Sequence, residues 1–355
     1  MTSQPLRIGI LASGPHPIQT IYLPALQSLP TLYIIVAIHT SSSNPETQSD
    51  NNEPSINDIL TNPSISLILN FLPNEYHELY TIAALQAGKH VVVETPLSLS
   101  IPSAKRILDA EKEAPNGARV FVASARRYAP CFTDVFKKEC PERELIGPKS
   151  RQKERKSMQQ STERNIRPGY PSPTRLSLSR FLASLGAHDL GLMRDTLGYP
   201  DSISNISVNE PFYSAIFHYN GPGSSISSNS SHTHGHPFTL FYEAGTDSVP
   251  RCDAQLATYG QSKTVTMHYD LPYARGQPLR VVVESTDERG GLMQTETVST
   301  WEEAYQAELK ALHGFLVQRV HVSTTASDGL QDVKLFQEVF GQYDRQCGTI
   351  RTPLG

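Results

Sequence analysis

Over the first 125 residues, short apolar runs alternate with stretches of helical period. Residues 6–11, 32–38, 64–71, 90–93 and 119–123 are continuous, β-branched and apolar, which predicts strands buried on both faces. Between them lie predicted helices at 17–29, from Ser55, at 75–87 and at 100–113. Pro17 fits a first turn, Ser55 to Asp58 a capping start, Asn74 a cap and Gly88 a left-handed stop. Strands separated by helices predict a parallel sheet covered on both sides, the doubly wound architecture that binds nucleotides.

The rhythm changes after Arg126. A helical stretch covers 181–197, and strands are predicted at 204–208, 213–219, 238–242, 252–259, 263–269 and 279–284. This is an α/β segment with an open, mostly antiparallel sheet. Thr300 to Glu303 forms a capping box opening a helix whose stripe is Tyr305, Leu309, Leu312 and Leu316. A last helix covers 328–343. The division drawn from this is residues 1–125 and 126–355, with the final helices able to pack back on the first part.

Composition narrows the class. The chain has 355 residues and a net charge of −4, so nucleic acid and anionic membrane surfaces are not expected partners. No apolar run approaches the roughly 20 residues of a membrane span. The four cysteines are scattered, as in a reduced, cytoplasmic protein. Residues 149–167 carry seven Lys or Arg against two Glu, and read as a solvated loop; 221–237 is a Ser/Gly/His loop. Its alternate His232, His234 and His236 lack a nearby carboxylate upstream, so no metal site is expected.

A pyrophosphate-binding first turn requires glycines for close backbone approach. At the three glycine positions stand Ala12, Gly14 and Pro17, so one glycine remains. The second strand ends His39-Thr40-Ser41, with neither an acid to hold a ribose diol nor an arginine to hold a 2′-phosphate. Hydroxyls such as that of Thr40 tilt the reading toward NADP over NAD.

Motifs in order then carry a resemblance: Leu72-Pro73-Asn74-Glu75-Tyr76-His77, Ala87-Gly88-Lys89-His90-Val91, Glu94-Thr95-Pro96-Leu97, Arg126-Arg127-Tyr128-Ala129-Pro130, Leu185-Gly186-Ala187-His188-Asp189, and residues 304–309 through Asp328-Gly329-Leu330. The chain resembles the Gfo/Idh/MocA family of glucose–fructose oxidoreductase and inositol dehydrogenase relatives, except in the 149–180 and 221–237 insertions. The resemblance implies a Rossmann domain and a C-terminal sheet that serves as a homodimer interface. It implies a nicotinamide coenzyme lined by Gly14, Pro73, Asn74, His77, Glu94 and Arg126, and a small-molecule substrate. Arg127, Tyr128 and Tyr273 are candidates for contact with that substrate.

The family's catalytic lysine, aspartate and histidine fall at Thr95, Ser184 and His188. Hydroxyls do not titrate near neutral pH, so His188 alone remains as a proton carrier. The biliverdin reductase branch also lacks the lysine, as does a galactose-pathway regulator on the same fold. Three readings follow: an NAD(P)-dependent oxidoreductase, a non-redox isomerase, dehydratase or cyclase, and a nucleotide-sensing regulator.

Overall fold

The computed structural model describes residues 4–13, 18–41, 54–140, 173–220, 237–245, 254–270 and 278–347. Among them, the early apolar runs become β1 (Leu6–Ser13), β2 (Tyr33–Ser41), β3 (Leu67–Phe71), β4 (His90–Glu94) and β5 (Val120–Ala123). They form one parallel sheet in the order β2-β1-β3-β4-β5. Their side chains alternate between two buried clusters, so Val91 and Val93 face one layer and Val92 the other.

The helices between them follow local signals. A turn at Ile18–Tyr22 leads into α1 (Leu23–Gln27). Ser55 and Asp58 close a capping box at α2 (Ile56–Thr61). A short turn at Asn74–Tyr76 precedes α3 (His77–Gln86), and Gly88 behind it stands at φ 70°, where a Cβ would lie 2.6 Å from the Asn116 amide. Ser100 caps α4 (Ile101–Glu113) by accepting the Ser103 N–H.

The second part opens with the turns Ala125–Tyr128 and Cys131–Phe136 and the single turn α5 (Lys137–Glu139). It continues through α6 (Pro173–Phe181), a turn at Leu182–Gly186 and α7 (Ala187–Leu197). Strands β6 (Ser202–Asn209), β7 (Phe212–Tyr219) and β8 (Phe238–Gly245) make one antiparallel sheet. A second contains β9 (Ala254–Tyr259), β10 (Lys263–Tyr269), β11 (Leu279–Thr286) and β12 (Leu292–Ser299) in the order β12-β11-β10-β9. Phe132, Phe136, Phe217, Val265 and Met267 fill the core beneath them.

The last helices return to the parallel sheet. Leu309 and Leu312 of α8 (Trp301–His313) pack with Ile8, Ile10 and Phe121, whereas Leu330 and Val333 of α9 (Ala326–Gln346) pack with Val91 and Val122. Thr300 and Glu303 close the expected capping box of α8. No described helix is long and apolar enough to cross a membrane.

Candidate active site

In an open α/β sheet, ligands bind outside the carboxyl ends of the strands, where the strand order reverses. Here that reversal lies between β1 and β3. β1 ends at Ser13, and the expected Gly14 beyond it lies outside the described residues. β2 ends with part-buried Thr40 opposite Ala12. The neighbouring His39 is buried and bonds the Pro54 carbonyl through Nδ1 at 3.0 Å.

The exit of β3 corrects two expectations. Asn74 provides no side-chain cap for α3. Its amide instead donates to the Ala183 carbonyl at 2.5 Å, joining the parallel-sheet part to the turn before α7. His77 is fully buried, with ring nitrogens 2.8 Å from the Pro96 carbonyl and 2.9 Å from that of Leu72. Burial holds it below the usual imidazole range. A neutral imidazole has one N–H, so the ring donates to one of these carbonyls and packs its other nitrogen against the second, which ties the two loops together and turns neither nitrogen toward a coenzyme. Pro73, between β3 and Asn74, keeps its place at the strand exit.

Glu94, the last residue of β4, is buried at the same edge. Tyr22 donates its hydroxyl to Glu94 Oε1 at 2.7 Å, and the Thr95 N–H donates to Oε2 at 3.2 Å. The Tyr22 ring stacks on Phe71, the last residue of β3, with centroids 4.2 Å apart. The Thr95 hydroxyl donates to the Ala123 carbonyl at 2.8 Å. Thr95 is therefore spent on joining the ends of β4 and β5, which corrects its assignment to the catalytic set. Sequence reasoning missed the residue opposite Glu94. Glu308 of α8 is buried and accepts the Ser124 N–H just past β5. Burial first, and the charge of Glu94 second, push its carboxyl up to about 8.

Ser184 is also corrected. It is exposed, and its hydroxyl donates back to the carbonyls of Arg180 at 2.9 Å and Phe181 at 3.1 Å. Such bonds within a helical turn satisfy the hydroxyl locally. His188, on the first turn of α7, is pushed down to about 3 by burial and by Arg126. It is neutral throughout the physiological range, which corrects its role as a source of imidazolium protons. A neutral imidazole still offers one N–H and one lone pair.

Beside it, the structure assembles a polar cluster. Asp189 is met by Arg126 at 3.4 Å, by the Tyr242 hydroxyl at 3.1 Å and by that of Tyr269 at 3.4 Å. Arg126 also donates to the Asp270 carbonyl and lies over the Tyr269 ring, 4.7 Å from its centroid. Burial raises the Asp189 carboxyl against the pull of Arg126 and the two hydroxyls. The helix turns Asp189 toward Arg126, as the 100° between successive residues requires. Tyr242 and Tyr269 come from β8 and β10, one from each antiparallel sheet. Nothing in their local sequence distinguished them from other strand tyrosines.

Two proposed substrate residues have structural roles instead. Arg127 is buried and faces Asp195 at 3.1 Å, Asp328 at 2.8 Å and Asp332 at 3.6 Å. Burial opposes its charge, but the three aspartates outweigh it and raise the guanidinium pKa. The Tyr128 hydroxyl shares a 2.5 Å hydrogen bond with Thr324, and its ring stacks on Phe121. Tyr273, the 149–167 segment and the three histidines of the 221–237 loop lie outside the described residues.

A parallel sheet in this strand order, with polar groups gathered at its carboxyl edge, is the geometry of a doubly wound nucleotide-binding fold. Residues 12–123 match the profile of the Gfo/Idh/MocA oxidoreductase family with an NAD-binding Rossmann fold. An uncharacterized oxidoreductase of Rhizobium meliloti, ORF334, is 34% identical over 82 residues, 23% of this chain and 24% of that protein. The alignment thus spans about a quarter of that relative's length. Among solved structures, the putative oxidoreductase yvaA of Bacillus subtilis has a TM-score of 0.66 at 15% identity, covering 97% of this chain and 98% of that one. Biliverdin reductase of Synechocystis, solved with biliverdin and NADP+, has a TM-score of 0.60 at 15% identity, covering 97% and 99%. These two structures match the fold over nearly its whole length.

Proposed function

We propose that this protein is an NAD(P)-dependent oxidoreductase acting on a small carbonyl or hydroxyl compound, with the family's lysine and aspartate replaced by Thr95 and Ser184. The observation that carries this reading is Glu94. Its carboxylate is fixed by Tyr22 and the Thr95 N–H at the carboxyl edge of the family-matched sheet, with β3 between it and the reversal of strand order. The residues at that edge fit a nicotinamide nucleotide. Thr40, Pro73, Glu94 and Arg126 would hold it, together with the turn that contains Gly14. When bound, the coenzyme supplies or accepts the hydride. Among the described residues, the end of β2 offers the hydroxyls of Thr40 and Ser41 and no carboxylate for a ribose diol, which supports NADP over NAD.

The chain's own residues then position the substrate. His188, held neutral, donates its ring N–H to a carbonyl oxygen and polarises it without giving up the proton, a role open to an imidazole of depressed pKa. Arg126 and Asp189, locked by Tyr242 and Tyr269, fix the wall beside it. The same reading includes a homodimer through the antiparallel sheet. Its support is the apolar Leu292, Met293 and Val298 left exposed on β12. A cytoplasmic setting is consistent with the free thiols of Cys131 and Cys140.

The test is a panel of small carbonyl compounds mixed with the protein and NADPH or NADH, followed through the nicotinamide absorbance. We expect substrate-dependent loss of the reduced coenzyme. Product formation at constant nicotinamide absorbance would replace this reading with an isomerase, dehydratase or cyclase. Coenzyme binding without turnover of any compound would replace it with a nucleotide-sensing regulator.

A further inference from the structure

We infer that the outer edge of β12 pairs with the same edge of a second copy of this chain, antiparallel and with the twofold axis through Thr295, so that two four-stranded sheets join into one of eight strands. The pairing rests on the homodimer of the proposed reading and on none of its chemistry.

A strand at the edge of a sheet carries a row of unpaired N–H and C=O groups, which proteins usually cover or blunt. This chain covers two of its edges itself. On β5, the Val122 N–H donates to the Thr324 carbonyl at 2.8 Å, and Phe121 bridges to Thr325. On β6, the Gln346 amide takes both backbone groups of Ile206, at 2.8 and 2.9 Å. β12 is different. It pairs with β11 on one side, and among the described residues no group bonds its other side. The strand is eight residues long, has neither proline nor lysine, and carries one charge, Glu296. Residues 292–298 are all exposed. The turn leading into the strand is fixed, because the Asp287 carboxylate accepts the N–H of Arg289 at 2.8 Å and that of Gly291 at 2.6 Å. A long, held, uncharged edge is a template for another strand.

The sequence of β12 selects its own copy and sets the register. Along a strand, the backbone groups of alternate residues point outward, and antiparallel pairing matches outward residues with outward ones. When both strands are the same, partners therefore differ by an even number of positions, and the twofold axis passes through a residue. An axis at Glu296 would set Glu296 against its own copy. An axis at Gln294 would set Leu292 against Glu296 and carry Val298 past the start of the partner strand. An axis at Thr295 sets Leu292 against the partner's Val298, Gln294 against the partner's Glu296 and Met293 against the partner's Thr297. Leu292, Gln294, Glu296 and Val298 share one face with Arg280 of β11, which meets Glu296 at 3.7 Å. The apolar ends and the polar centre of that face are thus both matched, and like charges stay apart. The pairing adds about six to eight backbone hydrogen bonds and covers the three exposed apolar side chains of β12. An interface of this size is small, so the dimer dissociates in the micromolar range.

Sedimentation velocity of the full chain across that concentration range tests the edge, with Gln294→Glu and Gln294→Lys as variants. Residue 294 is exposed, so neither change touches the core. With the axis at Thr295, glutamate at 294 faces the partner's Glu296 twice and should raise the dissociation constant about fivefold, whereas lysine faces it twice and should lower the constant by a similar factor. Weakening by both variants would overturn the axis at Thr295. A wild-type dimer that neither variant shifts would overturn the β12 edge and leave the homodimer to another surface. A monomer at every concentration would overturn the edge and the homodimer together.

Oxidative cross-linking reads the register independently. Directly opposed residues of antiparallel strands have Cα atoms about 4.5–5.5 Å apart, within the span of a disulfide. Thr295→Cys should therefore give a linked dimer above the wild-type background. Met293→Cys should not, because four positions separate the two copies of that residue, roughly 13 Å along the strands. Equal linkage of the two variants, or none in Thr295→Cys, would overturn the proposed register.

Discussion

Replacing Arg127 with alanine is expected to lower the unfolding free energy by about 3–5 kcal/mol, the usual cost of removing one partner from a buried ion-pair network. The Arg127 side chain is 3% exposed and faces three aspartates, while Arg194 bonds Asp328 and Asp332 at 2.6 Å and Lys137 bonds Asp195 at 3.1 Å. Three cations thus balance three carboxylates where the turn after β5, α5, α7 and α9 meet. Without Arg127, the charge of this group becomes net negative in a dry site. Arg127→Lys should recover only part of the loss, because an ammonium lacks the planar fork that spans several carboxylates. Denaturant unfolding of the two variants checks this. A loss under about 1 kcal/mol for the alanine variant would return Arg127 to the pool of substrate candidates.

Acid should unfold the protein early, through histidines that are folded neutral. His188 is pushed from 6.5 to about 3, and His77 is lowered by burial. The unfolded chain takes up these protons below about pH 6.5, while the folded chain resists them. Their stability contribution is therefore complete above that pH and is lost as pH falls from 6.5 toward 3. The expected loss is on the order of a few kcal/mol across that range. His188→Gln should flatten the His188 share of the limb, and Arg126→Gln should raise the His188 pKa, as read by proton exchange at its ring resonances. A wild-type stability profile that stays level from pH 7 down to 4 would contradict the burial of neutral imidazoles.

The parallel sheet was legible because each of its strands is apolar on both faces, a pattern local to the segment. Caps at Ser55 and Thr300 and the positive φ of Gly88 were legible for the same reason. β12 was not: seven of its eight residues are exposed, so Leu292–Ser299 shows no inward alternation. Site residues were harder to read than elements. Thr95, Ser184 and His188 were found by their place in motifs, but whether a hydroxyl is spent on the Ala123 or Arg180 carbonyl depends on distant backbone. The fate of Arg127 depended on aspartates 68 to 205 positions away. In the sequence Glu308 is one polar residue beside the Tyr305–Leu309–Leu312 stripe, and only the return of α8 to the edge of β5 puts its carboxyl on the Ser124 N–H. Motifs identify which positions matter in a family, and packing decides what chemistry survives there.

The central claim is that the carboxyl edge of the parallel sheet holds a nicotinamide nucleotide. Calorimetric titration of the nucleotide-stripped protein with NADPH and then NADH tests it most directly. The account predicts micromolar binding of at least one, tighter for NADPH, and marked weakening in Glu94→Ala. Heats indistinguishable from dilution for both nucleotides would contradict it and move the chemistry to the cluster around His188 and Asp189 without a coenzyme.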